Sequence, residues 1–155
     1  MERYSRMKFY LIIVLVSFYF HFMNAQTDSL RYIFKVDELV QHPYFVSYTF
    51  FSPSIIQVEH CDSLASKYVY TNSYNSHWNT KIENYYDYYR QYVGLVDSIE
   101  NRKIFIDAYC QFPYTTKAQI KRDIMLVKGG GSCYFQVKVN LESDECYEFN
   151  VNAPK

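Results

Sequence analysis

Residues 132–151 alternate between apolar and polar side chains, and no other stretch restricts the fold as much. Cys133, Phe135, Val137, Val139 and Leu141 interleave with Ser132, Tyr134, Gln136, Lys138 and Asn140. A β-strand sends successive side chains to opposite faces, so this segment predicts a strand with one apolar face and one wet face. After Glu142-Ser143-Asp144 the alternation resumes, with Tyr147, Phe149 and Val151 on one parity and Cys146, Glu148 and Asn150 on the other. Matching the two apolar faces sets a hairpin register. Leu141 lies opposite Glu145, Val139 opposite Tyr147, Val137 opposite Phe149 and Phe135 opposite Val151. The connection is then a three-residue loop, of the kind in which one residue turns left-handed. Asp144 tolerates that conformation better than most residues other than glycine.

The register separates two of the four cysteines. Cys133 is on the apolar face, and Cys146 is on the polar face at the other end of the hairpin. About eight residues of strand at ~3.3 Å each lie between their levels. A disulfide needs Cα atoms ~4.4–6.8 Å apart, so these two cysteines are not bonded to each other. Upstream, Ile124–Val127 reads as a short strand ended by Gly129-Gly130-Gly131. A phosphate-binding loop needs Gly-Lys-Ser/Thr and then a helix. Here Ser132-Cys133 and a strand follow, so the glycines predict a bulge or tight turn.

The chain begins with Arg3, Arg6 and Lys8, then a nearly continuous apolar run from Phe9 to Phe20, and Ala25 before Gln26. A bilayer span takes ~20 apolar residues. Residues 1–25 therefore read as a cleavable signal peptide. The expectation is an exported protein, periplasmic or secreted, with no stable membrane anchor after cleavage. The remaining residues 26–155 number 130, the length of a single α+β domain. They carry 13 basic and 15 acidic residues, because three basic residues and Glu2 leave with the signal. That balance gives no footprint for nucleic acid.

Leu30, Ile33, Phe34 and Val40 recur at helical spacing, which predicts a helix over about 28–41 ended by Pro43. Tyr44–Phe51 is aromatic and β-branched and predicts a strand. Ser54-Ile55-Ile56-Gln57 matches a capping box that opens a helix over about 55–70. Its apolar stripe is Ile55, Val58, Cys61, Ala65 and Tyr68. Arg90–Asp97 and Lys103–Phe112 predict two strands joined by Ser98–Arg102, with Ile104, Ile106, Ala108 and Cys110 facing the core. The fold class is α+β: one or two helices packed on one face of a four- to five-stranded antiparallel sheet, the sheet spanning about 86–151.

Four segments carry a resemblance: Arg90-Gln91-Tyr92-Val93-Gly94, Ile104–Cys110, Gly130–Phe135 and Phe149-Asn150-Val151-Asn152-Ala153. Together they resemble a group of small exported Bacteroidetes proteins of unknown function, over roughly the C-terminal half. Gly129 and Ala153 stand where that group has Asp and the Gly of Asn-Gly. The resemblance implies export and a sheet-rich C-terminal half, and it implies no activity.

Cysteines of exported chains usually pair. Cys61, Cys110 and Cys133 are the disulfide candidates, with Cys110 joined to Cys61 or Cys133 and Cys146 free or bonded between molecules. A cysteine nucleophile would need His60 or His77 beside Cys61, but sequence neighbours on a helix point apart. No His or Cys spacing suits a metal, and no cofactor is expected. The density of tyrosine is more unusual. Tyr85, Tyr86, Tyr88, Tyr89 and Tyr92 fall within eight residues, and Trp78 precedes them. Rings in such a cluster either pack in the sheet or anchor a protein or carbohydrate partner. The functional expectation is an exported, non-catalytic binding or inhibitor-like module with these six aromatics as its ligand-binding residues. The alternatives are a small periplasmic hydrolase whose site forms only in the fold, and a structural subunit that associates through a sheet edge.

Overall fold

The computed structural model describes residues 30–38, 43–73, 81–110, 121 and 123–154. The signal-peptide expectation, His77 and Trp78 lie outside these residues. From Arg31 onward the chain packs as one compact unit. The described residues form an α+β structure in which one helix covers a six-stranded sheet.

The strands are β1 (Arg31–Ile33), β2 (Thr49–Phe51), β3 (Tyr89–Val96), β4 (Arg102–Tyr109), β5 (Tyr134–Asn140) and β6 (Cys146–Val151). Helix α1 spans Ile55–Ser73. The sheet order is β1-β3-β4-β5-β6, with β2 also paired to β3. β3, β4, β5 and β6 form an antiparallel meander, as the alternation predicts. The sheet is nevertheless mixed and larger than expected, because two short strands share the outer edge of β3. β1 runs parallel to Arg90–Tyr92, and β2 runs antiparallel to Gly94–Val96.

The expected helix over 28–41 is therefore corrected within the described residues. Arg31–Ile33 is a strand, and Val36–Glu38 is one 3₁₀ turn. The open edge of β3 decides this, since Phe34 N–H donates to Tyr92 O at 3.0 Å. The strand conformation sends Ile33 to one face of the sheet and Tyr32 and Phe34 to the other, and both faces bury them. The expected strand over Tyr44–Phe51 is a 3₁₀ turn at Pro43–Phe45 and then β2. Gly94 permits that pairing, because a Cβ there would run into the Phe51 carbonyl oxygen.

Helix α1 begins as the sequence predicts. Ser54 N–H donates to Gln57 Oε1 at 2.9 Å, and Gln57 N–H donates back to Ser54 Oγ at 3.3 Å. The helix runs one turn beyond the expected end. Val58, Cys61, Ala65 and Val69 bury against Ile104, Ile106, Ala108, Phe135, Val137 and Val139. Ile55, assigned to the stripe, is exposed.

The opposite face of the sheet was expected to be wet, and it is covered. Phe34, Phe45, Val93, Leu95, Phe105 and Ile124 form a second apolar cluster there. The segment expected as a strand at Ile124–Val127 crosses this face without pairing. Gln91 holds it by donating from Nε2 to Asp123 O at 2.9 Å and accepting from Met125 N–H at 2.8 Å. Gln136 and Lys138, at the polar positions of β5, are consequently buried.

The β5–β6 hairpin keeps the expected register at one end only. Phe135 pairs with Val151, but Val139 pairs with Cys146, because a bulge intervenes between Gln136 and Lys138. Glu148 supplies the extra residue with φ 48°, and Asp144 takes the left-handed loop position with φ 56°. The slip reverses two side chains. Tyr147 joins the second face, where its ring lies 5.6 Å from Lys103 Nζ. Cys146 turns inward against the α1 cluster instead of facing outward. The disulfide is Cys110–Cys133, with Cα atoms 4.9 Å apart, and Cys61 and Cys146 are free. It closes the end of the β4–β5 ladder, where Cys110 N–H also donates to Cys133 O at 2.9 Å.

Candidate functional site

The tyrosine cluster is divided by the sheet. Tyr85–Asp87 is one 3₁₀ turn, capped by Asn84, whose side chain accepts from Tyr86 N–H. Strand β3 follows and alternates faces. Tyr85 and Tyr92 are buried on the α1 side. Tyr88 packs against that cluster and donates to Ser132 O at 2.9 Å. Tyr89 stacks on Tyr109 with ring centroids 5.8 Å apart. Tyr86 alone of these five is exposed. The structure thus brings Tyr85 and Tyr86 together and does not join all five in one surface.

Tyr85 and Tyr92 belong to a buried polar network centred on Asp62 of α1. Both phenols donate to Asp62 Oδ1 at 2.7 Å. Arg90 Nε donates to Tyr92 Oη at 2.8 Å, and its Nη1 donates to Tyr85 O at 2.9 Å. Arg31 Nε lies 3.2 Å from Asp62 Oδ2. Burial pushes both phenols well above the usual tyrosine range, and the Asp62 charge adds to it. Asp62 is 2% exposed and Arg90 1%, so the charged centre of this network is closed to ligands. Its role is to tie α1 to β1 and β3. An open depression of about 300 Å³ lies beside it, lined by Ser66, Tyr70, Ile82, Tyr85 and Tyr86 among others. It is mostly aromatic and aliphatic, with Lys67 and Glu83 on its rim.

A second cavity, of about 430 Å³, opens on the other face of the sheet. Its walls fall into two kinds. Tyr44, Leu126 and Val127 give aromatic and aliphatic surface, while Gln136, Asn150, Asn152 and Lys128 give polar groups. Gln136 and Asn152 are each 8% exposed and rigidly held. Gln136 Nε2 donates to Asp107 Oδ1 at 3.1 Å. Asn152 Nδ2 donates to Val127 O and Gly129 O, and its backbone N–H donates to Tyr134 O at 3.0 Å. Asn152 thus spends both side-chain donors on the protein, and Gln136 spends one of its two. Among the described residues, the carbonyl oxygens of these two amides have no partner and are left for the cavity.

Three consecutive glycines make that arrangement possible. Gly129, Gly130 and Gly131 have φ of 80°, 92° and 60°. They turn the chain sharply into β5, which is the tight turn the sequence predicts. The same turn places the Val127 and Gly129 carbonyls around Asn152, and Gly131 N–H donates to Ala153 O at 3.0 Å. Asp107 stands behind Gln136. Burial pushes its carboxyl up to about 8, partly offset by the Gln136 hydrogen bond. Among the described residues its buried Oδ2 has no hydrogen-bond partner.

Searches against family models, curated proteins and solved structures find no match. The chemistry of the site therefore rests on its geometry. Sequence reasoning missed Tyr44, Gln136, Asn150 and Asn152. Gln136 and Asn150 do occupy polar strand positions, but only the bulge and the crossing segment reveal that these positions line a cavity.

Proposed function

We propose that the protein is an exported, non-catalytic binding module whose cavity takes a small, neutral, hydroxyl-rich ligand such as a sugar unit. One observation carries the reading: two buried amides, each anchored through its NH2 group, present unpartnered carbonyl oxygens to one cavity. Fixed acceptors select ligands with hydroxyl donors, since leaving such groups unpaired on binding is costly. The exposed Tyr44 ring and the Leu126 side chain supply the apolar surface that a sugar ring's C–H face packs on. The volume lies within the range of small-molecule sites, roughly 300–1,000 Å³. The described lining holds amide, aromatic and aliphatic groups with one lysine, which suits binding better than hydrolysis. Export is part of the proposal. The Cys110–Cys133 disulfide supports it, and no described helix is long and apolar enough to cross a membrane. Kinship with small exported Bacteroidetes proteins belongs to the same proposal.

The sheet-edge reading is weaker. An edge suited to pairing is long and flat. β6 has six residues and is kinked by the bulge at Glu148.

The test is calorimetry against a panel of neutral mono- and disaccharides. Tyr44→Ala and Asn150→Ala each weaken binding about 3- to 10-fold, the cost of one hydrogen bond or stacking contact. Tyr86→Ala, in the other depression, leaves it unchanged. Binding that depends on Tyr86 and not on Tyr44 would move the site to the tyrosine depression, and no binding across the panel would overturn the ligand class.

A further inference from the structure

The bulge at Glu148 does more than shift a register. It turns Cys146 from the outer side of β6 to the side that faces α1. We propose that Cys61 and Cys146 form a second disulfide, which staples α1 to the edge strand β6. In the structure both are thiols. Cys61 is fully buried in the apolar cluster between α1 and the sheet, and Cys146 packs against that same cluster. The helical turn that carries Cys61 is tied to the loop that leads into β6, because His60 Nε2 lies 2.8 Å from Asp144 Oδ1. Burial raises the Cys61 thiol, and the carboxylates of Asp62 and Asp144 raise it further. Helix α1 packs directly on β6, so the two cysteines lie on facing elements. The other two cysteines are already joined to each other, so this pair has no competing partner within the chain.

The chemistry needs a disulfide oxidant, such as oxidised glutathione or an oxidising dithiol enzyme of the export compartment. One cysteine, as thiolate, attacks a sulfur of oxidised glutathione and expels one glutathione thiolate. The second cysteine, having lost its proton, attacks the mixed disulfide and expels the other. Two protein thiols give up two protons and two electrons, and one oxidised glutathione becomes two reduced ones. Burial keeps both groups largely protonated, so the reaction is slow and accelerates with pH. Once formed, the bond closes a loop from 61 to 146, joining the helix to the strand that is otherwise held on one side only.

The test is oxidation of the folded protein by oxidised glutathione, with alkylation after unfolding, peptide mapping and a non-reducing gel. The expected result is a fall from two free thiols to none, loss of two hydrogens in mass, and a linked pair of peptides bearing Cys61 and Cys146 in a monomer. The thermal midpoint rises by roughly 5–15 °C. In Cys61→Ala, Cys146 takes up glutathione and the loss of two hydrogens disappears. Persistence of both thiols in the folded wild type would overturn the proposal. So would a dimer linked through Cys146, or stable glutathione adducts on both cysteines.

Discussion

Asp107→Asn removes a carboxyl that the fold keeps protonated. Asp107 lies on β4, 2% exposed, with Gln136 Nε2 on Oδ1 and, among the described residues, no hydrogen-bond partner on Oδ2. Burial holds its pKa at about 8, against an ordinary value of 3.8. The acid is raised in the folded state, so between those two values the folded chain holds a proton that the unfolded chain has lost. Stability therefore falls as pH rises from about 4 to about 8, and this group's contribution is level outside that window. Each pH unit within the window costs 1.36 kcal/mol at the limit, so at pH 7 the loss is at most about 4 kcal/mol. Asparagine matches the neutral acid in shape. Its Oδ1 accepts from Gln136, and its NH2 replaces the protonated oxygen. The variant is then within about 1 kcal/mol of wild type at pH 4.5 and more stable by about 2–4 kcal/mol at pH 7. Urea unfolding followed by circular dichroism at half-unit steps from pH 4.5 to 9 measures the difference, in which other titrating groups cancel. A variant that is less stable than wild type at pH 7, or a difference that does not change with pH, would refute the reasoning.

Asp62→Asn removes the charge that Tyr85, Tyr92, Arg90 and Arg31 surround. It leaves the buried Arg90 guanidinium uncompensated, and chemical denaturation should register a loss of about 3–5 kcal/mol. Gly130→Ala places a Cβ 2.5 Å from the Tyr134 ring at a residue with φ 92°. A loss of about 2–3 kcal/mol is expected from strain and overpacking, together with weaker ligand binding because the Gly129 carbonyl that orients Asn152 moves. Gly94→Ala disrupts the pairing of β2 with β3 by its clash at Phe51, so hydrogen exchange at Thr49–Phe51 should rise while β4 and β5 stay protected.

Some of this architecture was legible because the deciding signals were local. The capping box at Ser54 and Gln57 fixes where α1 starts, and strict alternation marks β4 and β5. Asp144 marked its own loop position, and Cys110 was a correct disulfide partner. What failed depended on distant partners. Arg31–Ile33 has helical spacing on paper and becomes a strand only because β3 offers an edge. The bulge at Glu148 leaves no trace in the alternation of β6, yet it exchanges the faces of Cys146 and Tyr147. The polar positions of β5 read as solvated, because nothing near them in sequence foretells cover from Phe34, Phe45 and Ile124. The tyrosine run drew attention for its density, but a strand divides such a run between two faces, and only Tyr86 stays exposed. The cavity escaped notice for a related reason. Its two fixed amides, Gln136 and Asn152, are distinguished by what holds their NH2 groups, and Val127, Gly129 and Asp107 do that from other segments.

The side-chain amide resonances of Gln136 and Asn152 test the central claim most directly. Titration of the labelled protein with a neutral sugar that binds should shift both NH2 pairs, together with the backbone amides of Tyr44 and Asn150, in a saturable way. Tyr70 and Tyr86 should remain still. Saturable shifts confined to Tyr70, Tyr85 and Tyr86, with the two amides unmoved, would contradict the account.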